Sequence, residues 1–166
     1  MAKYGISYDI GTTGVKTCIF ELSDTIKLVS AASAGYKLYV LQDGGAEQEP
    51  QEWWEAMCET TKTVLSKCDV AVNDICGISF CSQMQGLVLV DKDAKPVRRA
   101  MSYMDQRARK ELKEGIAYGP RIAGAYIPKL LKSLLITGAV AASVKDPVWK
   151  YKWVEKKRTR SFRQST

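Results

Sequence analysis

The sequence predicts an α/β layered domain, and three observations carry the prediction. Alternating apolar runs flank a glycine-rich turn near the start, one long amphipathic stretch follows, and further apolar runs joined by turn residues come after it. A chain of 166 residues, 46% hydrophobic and 26% charged, is long enough for a core and ordinary for a globular domain, which excludes a disordered protein. The first strand is "YGISYD", with Tyr4, Ile6 and Tyr8 on one face, and the second is "VKTCIFEL". Between them lies "DIGTTGVK", Asp9 to Lys16. A further extended stretch, Ile26 to Val40, breaks near Gly35, and "QDGGAEQEP" reads as loop. "PQEWWEAMCETTKTVLSK" is a helix, because Trp53, Trp54, Met57, Thr61, Val64, Leu65 and Cys68 recur at helical spacing. Acids cluster at its start and lysines toward its end, as its dipole favours. "ICGISFC" and "LVLVD" are strands joined by "SQMQG", followed by the turn "KDAKP" and a strand from Val97. Helices are expected from Asp105 and over about Pro128 to Ile136.

Charge and cysteine content narrow the function classes. Net charge is +7, but five of the basic residues (Lys156, Lys157, Arg158, Arg160, Arg163) and no acid lie in the last eleven positions. The rest of the chain is near neutral, which argues against a nucleic-acid partner. Cys18, Cys58, Cys68, Cys76 and Cys81 form no CxxC pair and there is no histidine, so neither a zinc site nor a disulfide framework is supported. They are expected as buried small residues in a reducing cytoplasm. The N-terminus enters a strand without a signal-peptide block, and "LLITGAVAA" is too short to span a bilayer, so no membrane role is expected.

Three segments can carry chemistry. In "DIGTTGVK", glycines let successive amides converge on an anion while Thr12 and Thr13 add hydroxyl donors. Asp9 would repel a bare phosphate, but fits one bridged by magnesium, and Lys16 can neutralise a further oxygen. The spacing is neither a P-loop nor a dinucleotide fingerprint. In "SQMQG", Ser82, Gln83 and Gln85 suit a polyhydroxylated, uncharged ligand. In "YMDQRA", Asp105 and Arg107 open a helix, with Asp105 as its N-cap, as a ligand contact, or as both. The plain alternative for the first two is a polar hairpin turn.

In order and spacing, "DIGTTGVK", "GGAEQEPQEWWEA", "GISFCSQMQGLVLVDKDAKPVRRAMSYMDQRA" and "KDPVWKYKWVEK" resemble the N-terminal part of the FGGY carbohydrate kinases, which include xylulokinase, gluconokinase, glycerol kinase and ribulokinase. The resemblance implies an incomplete actin-like, ribonuclease-H-like domain over residues 1–155, with a mixed sheet and a β-hairpin phosphate loop. It implies phosphorylation of a sugar or polyol hydroxyl by ATP with Mg²⁺. By position, Asp9 is similar to the magnesium-site aspartate, and Gly11, Thr12, Thr13 and Lys16 to the phosphate loop. The segment holding Gln83, Met84, Gln85 and Gly86 is similar to the sugar-contact segment, and Asp105 with Arg107 to the motif after the next strand. Xylulokinases commonly have histidine where Gln85 stands and glycerol kinases an Arg-Glu pair at Met84 and Gln85, so the sugar is left open. Family members, often homo-oligomers, are much longer, and their catalytic base and adenosine motif lie downstream, so no catalytic residue is expected here.

The family's continuation "NEPEV" after "WVEK" becomes "KRTRS" if one adenine enters the preceding adenine run. Residues 156–166 are therefore expected to be a basic tail, frameshifted and outside the fold. Two readings follow: a truncated kinase, or a non-catalytic binding or interaction module built on the actin-like half-domain with its basic tail. An incomplete domain should also expose apolar surface and self-associate.

Overall fold

The computed structural model describes residues 3–116, 127–138 and 143–164. In chain order the elements are β1 (Lys3–Ile10), β2 (Gly14–Leu22), β3 (Ile26–Gly35), β4 (Tyr39–Val40), β5 (Ala46–Gln48), α1 (Pro50–Ser66), β6 (Ile75–Ser82), β7 (Ala100–Met101), α2 (Arg109–Ile116), α3 (Ile127–Thr137) and α4 (Pro147–Gln164). They divide into two compact units, Met1–Leu38 with Gln48–Met84, and Tyr39–Glu47 with Gln85–Thr166.

The first unit is a mixed sheet in the order β3-β2-β1-β6, with β1/β2 and β2/β3 antiparallel and β1/β6 parallel. Strand alternation decides which residues meet the helix. Ile6 and Tyr8 of β1 and Val15, Thr17 and Ile19 of β2 are buried, as are Ala56, Thr60 and Val64 of α1 at four-residue spacing. Pro50 opens α1 where a missing amide proton does no harm, and Glu52 in the first turn favours the dipole. Polar groups in this core pair with one another: Thr17 Oγ1 lies 2.7 Å from Thr60 Oγ1, Tyr8 Oη 2.8 Å from Thr61 Oγ1, and Ser30 Oγ donates to the Val64 carbonyl at 3.0 Å.

In the second unit β4, β5 and β7 form a small sheet in the order β4-β5-β7. α2 packs on α4 at very close range, since a Cβ on Gly115 would lie 2.0 Å from the Trp149 ring, so only glycine fits there.

Several expectations are corrected. The break expected near Gly35 is there, since β3 ends at Gly35, but β3 and β4 on its two sides belong to different sheets. The "AEQ" expected as loop is β5, buried throughout, a strand its polar composition hides. "LVLVD" is no strand; it makes only the bridges Leu87↔Met101 and Val90↔Pro96, between residues of positive φ, Gln85 and Ala94, that turn the chain at each end. The strand from Val97 shrinks to β7. The helix expected at Asp105 starts at Arg109. Trp54 is 61% exposed, because the buried stripe of α1 runs through Ala56 and Thr60 instead. None of the five cysteines is buried; Cys76 and Cys81 are exposed on β6, the outermost strand of its sheet. α3 falls where a helix was expected, and α4 continues through the basic residues to Gln164. No helix among the described residues is long and apolar enough to cross a membrane.

Candidate functional site

In the β1/β2 ladder Asp9 faces Lys16 and Ile10 faces Val15, leaving Gly11, Thr12 and Thr13 as the bend. The bend is closed by its carbonyls. The Gly14 carbonyl accepts from Gly11 N at 3.0 Å, the Thr13 carbonyl from Tyr36 N at 3.2 Å, and the Thr12 carbonyl from Gln48 Nε2 at 2.7 Å. The Gly11 carbonyl accepts from the Tyr36 hydroxyl. A Cβ on Gly14 would sit 2.4 Å from the Ala34 carbonyl oxygen, so glycine is what lets β2 leave the bend against β3. With those oxygens turned inward, the amides and hydroxyls of Thr12 and Thr13 carry no hydrogen bond among the described residues. Such amides form an anion-binding concavity. Asp9 and Lys16, cross-strand neighbours, are both exposed beside it. Burial, and secondarily the charge of Asp9, push the Tyr36 hydroxyl up to about 12, which keeps it a proton donor to the bend.

Gln48 is the residue that sequence reasoning passed over. Only 1% exposed, it donates to the Thr12 carbonyl while its Oε1 accepts from Gln83 Nε2 at 2.6 Å. Gln83 N in turn donates to the Ile10 carbonyl at 2.9 Å. The structure thus brings Asp9, Gly11, Thr12, Thr13, Lys16 and Gln83 to one end of the first unit, and leaves the Gln83 Oε1 buried with no hydrogen-bond partner among the described residues. Met84, at the end of this unit, is 78% exposed.

In the second unit, Asp105 and Arg107 form a buried ionic cluster with Glu47. Asp105, 0% exposed, accepts from Ala46 N at 3.0 Å, Arg107 N at 3.1 Å and Arg107 Nη2 at 2.6 Å. Arg107 Nη2 also reaches Glu47 Oε1 at 2.5 Å, and Arg98 pairs with the same carboxylate. The Arg107 guanidinium stacks 4.5 Å from the Trp153 ring. Burial pulls its pKa down, but the hydrogen bonds to Asp105 and Glu47 outweigh that and hold it above its ordinary value. Asp105 bonds the amide of Arg107 within the turn before α2, the local competition that delays the helix. Glu47, like Gln48, was not singled out from sequence; two consecutive buried polar residues in β5 were hidden by the loop reading. Gln85, with φ 61°, and Gly86 follow at the start of this unit, where Leu87 N donates to the Met101 carbonyl at 2.9 Å.

Among the described residues no group of three or more His, Cys, Asp or Glu can hold a metal by itself. Asp9 and the threonine hydroxyls offer a sparse, all-oxygen donor set, which fits a magnesium ion that takes its remaining ligands from phosphate and water.

A mixed sheet turned at its first hairpin, with a helix on one face, places the chain in the actin-like class of α/β domains. The solved gluconate kinase from Lactobacillus acidophilus shares this fold with a TM-score of 0.77 at 24% identity, covering 96% of this chain and 29% of that one. Residues 4–165 match the FGGY family of carbohydrate kinases, N-terminal domain, and the chain belongs to that family. It is 35% identical over 111 residues to the xylulose kinase of Staphylococcus xylosus, covering 67% of this chain and 22% of the relative. With the xylulose kinase of Bacillus subtilis it is 36% identical over 105 residues, covering 63% and 21%. The chain spans about a fifth of the length of these curated relatives.

Proposed function

We propose that this chain supplies the phosphate-binding hairpin and a sugar-contact segment for ATP-dependent phosphorylation of a sugar or polyol hydroxyl in the cytoplasm. The observation that carries the reading is the bend: four carbonyls tied back by Tyr36, Gln48 and Gly11, and the amides of Thr12 and Thr13 left for an anion. Those amides and hydroxyls bind the terminal phosphates on the bend that Gly11 opens, and Lys16 neutralises an oxygen. Asp9 would hold magnesium, which supplies charge neutralisation at the transferring phosphoryl group. Gln83, Met84, Gln85 and Gly86 offer amide and main-chain groups to sugar hydroxyls, while Asp105 and Arg107 shape the segment before α2 around Glu47. In this reading the residues named here bind and orient the two substrates.

The experiment is a titration of the labelled chain with MgATP, followed by amide NMR. Shifts concentrated at residues 11–16, lost in Asp9→Asn when magnesium is limiting, support the reading; an unperturbed bend ends it. The second reading is a non-catalytic binding or interaction module built on this domain. It predicts ligand binding with no sugar phosphate formed. Residues 156–166 are proposed as a frameshifted end, which the DNA after the Lys156 codon tests: it is refuted if neither alternative frame reads as kinase.

A further inference from the structure

Among the described residues Lys150 is the largest side chain sealed completely from solvent, at 0% exposure. Lysine is almost never fully buried without a charged partner, yet its ammonium makes no ion pair among the described residues. It donates instead to two main-chain oxygens, the Gln85 carbonyl at 2.6 Å and the Lys145 carbonyl at 2.8 Å. Gln85 has a positive φ, 61°, a conformation uncommon for a non-glycine residue and kept only where its surroundings hold it. Its side chain is held too: Gln85 Nε2 donates to Asp146 Oδ1 at 3.3 Å. Asp146 is itself fixed, since Oδ2 accepts from Ser143 N at 2.9 Å and its amide donates to the Ser143 carbonyl at 3.0 Å. The turn before α4 and the first turn of α4 therefore grip Gln85 by both its main chain and its amide.

We propose that Lys150 is a positioning residue for the sugar-contact segment, holding the Gln85 carbonyl so that the left-handed turn presents Gln85 and Gly86 to the ligand. This rests on the proposed function, in which Gln85 touches sugar. A lysine serves better than a neutral donor because its long stem reaches through the packed first turn of α4 and its charge strengthens both bonds. The Asp105 and Asp146 carboxylates favour that charge from farther off.

The test compares the wild-type chain with Lys150→Met, Lys150→Gln and Lys150→Met/Gln85→Asn. Two readouts are taken: the intraresidue amide-to-Hα NOE at position 85, strong only for positive φ, and affinity for xylulose, gluconate and glycerol as probes. Lys150→Met should lose the NOE and weaken the best probe about tenfold, as loss of a charged hydrogen bond implies. Lys150→Gln, which keeps a donor, should retain part of both. Asparagine tolerates the left-handed region, so the double variant should regain the NOE. A Lys150→Met chain that keeps the NOE and its affinity, or loses only melting temperature, overturns the proposal. If wild type binds none of the probes, the functional reading fails, while the NOE still decides whether Lys150 sets the turn. If Lys150→Met does not fold, absence of the NOE in wild type, or an undiminished NOE in a folded Lys150→Gln, overturns the proposal, and a weakened NOE in Lys150→Gln supports it.

Discussion

The two units bury polar groups by opposite means. Around the sheet, Thr17 pairs with Thr60, Tyr8 with Thr61 and Ser30 with a helix carbonyl, all of them neutral. In the second unit the buried partners are charged: Asp105, Glu47, Arg98 and Arg107 share one cluster and Lys150 caps two carbonyls. Neutral pairs can be replaced together by apolar groups at little loss, whereas removing one member of an ionic cluster strands the others. The first unit should thus tolerate coordinated change and the second should not.

The strongest way to sharpen that contrast is Arg107→Met, which leaves Asp105 and Glu47 buried without their shared cation. It should destabilise the second unit by about 3–5 kcal/mol, read by denaturant unfolding with hydrogen exchange resolved by segment. Ile19→Ala, a cavity in the neutral core, should remove about 2–5 kcal/mol from the first unit; equal loss of protection in both units would break the division. Thr60→Val should lose about 1–3 kcal/mol by orphaning Thr17, while Thr17→Val/Thr60→Val should recover most of it. A double variant no better than the single would show that the hydroxyls do more than satisfy each other.

The smallest effect is in pH, and its sign differs between units. Tyr36, pushed up to about 12, binds its proton more tightly folded than unfolded, so its contribution is whole below pH 10 and is lost as pH rises toward 12. Lys150, pulled down to about 8 by burial, binds fewer protons folded than unfolded up to its ordinary 10.5. Its contribution therefore grows as pH climbs from 8 to 10.5 and is lost as pH falls through 8. Exchange protection measured from pH 8 to 11 should rise around α4 and fall around Tyr36, and Tyr36→Phe should flatten the second slope.

Legibility from sequence followed the same division. β1, β2, α1 and the bend were readable because alternation, helical spacing and glycines are local signals, and Asp9 to Lys16 fell where the spacing put them. In the second unit helical spacing gave α3, but the sheet and the ionic cluster were not readable. That sheet is made of two- and three-residue strands, of which β5 (Ala46–Gln48) and β7 (Ala100–Met101) come together from distant parts of the chain, as Glu47 does with Asp105 and Arg107 in the cluster. No periodicity marks such a contact, so β5 passed for loop, Asp105 for the start of a helix, and Gln48 went unnoticed between them. Lys150 gave no sign because burial of a lysine is opposite to what its chemistry suggests.

The outer position of β6 has a practical corollary. Two thiols, Cys76 and Cys81, stand open along a strand that also shows Ile78 and Phe80 to water. Preparations kept without reductant will form covalent pairs between molecules, and a single-cysteine version keeping only Cys81 would give a ready attachment point for a fluorophore at the strand end nearest Gln83.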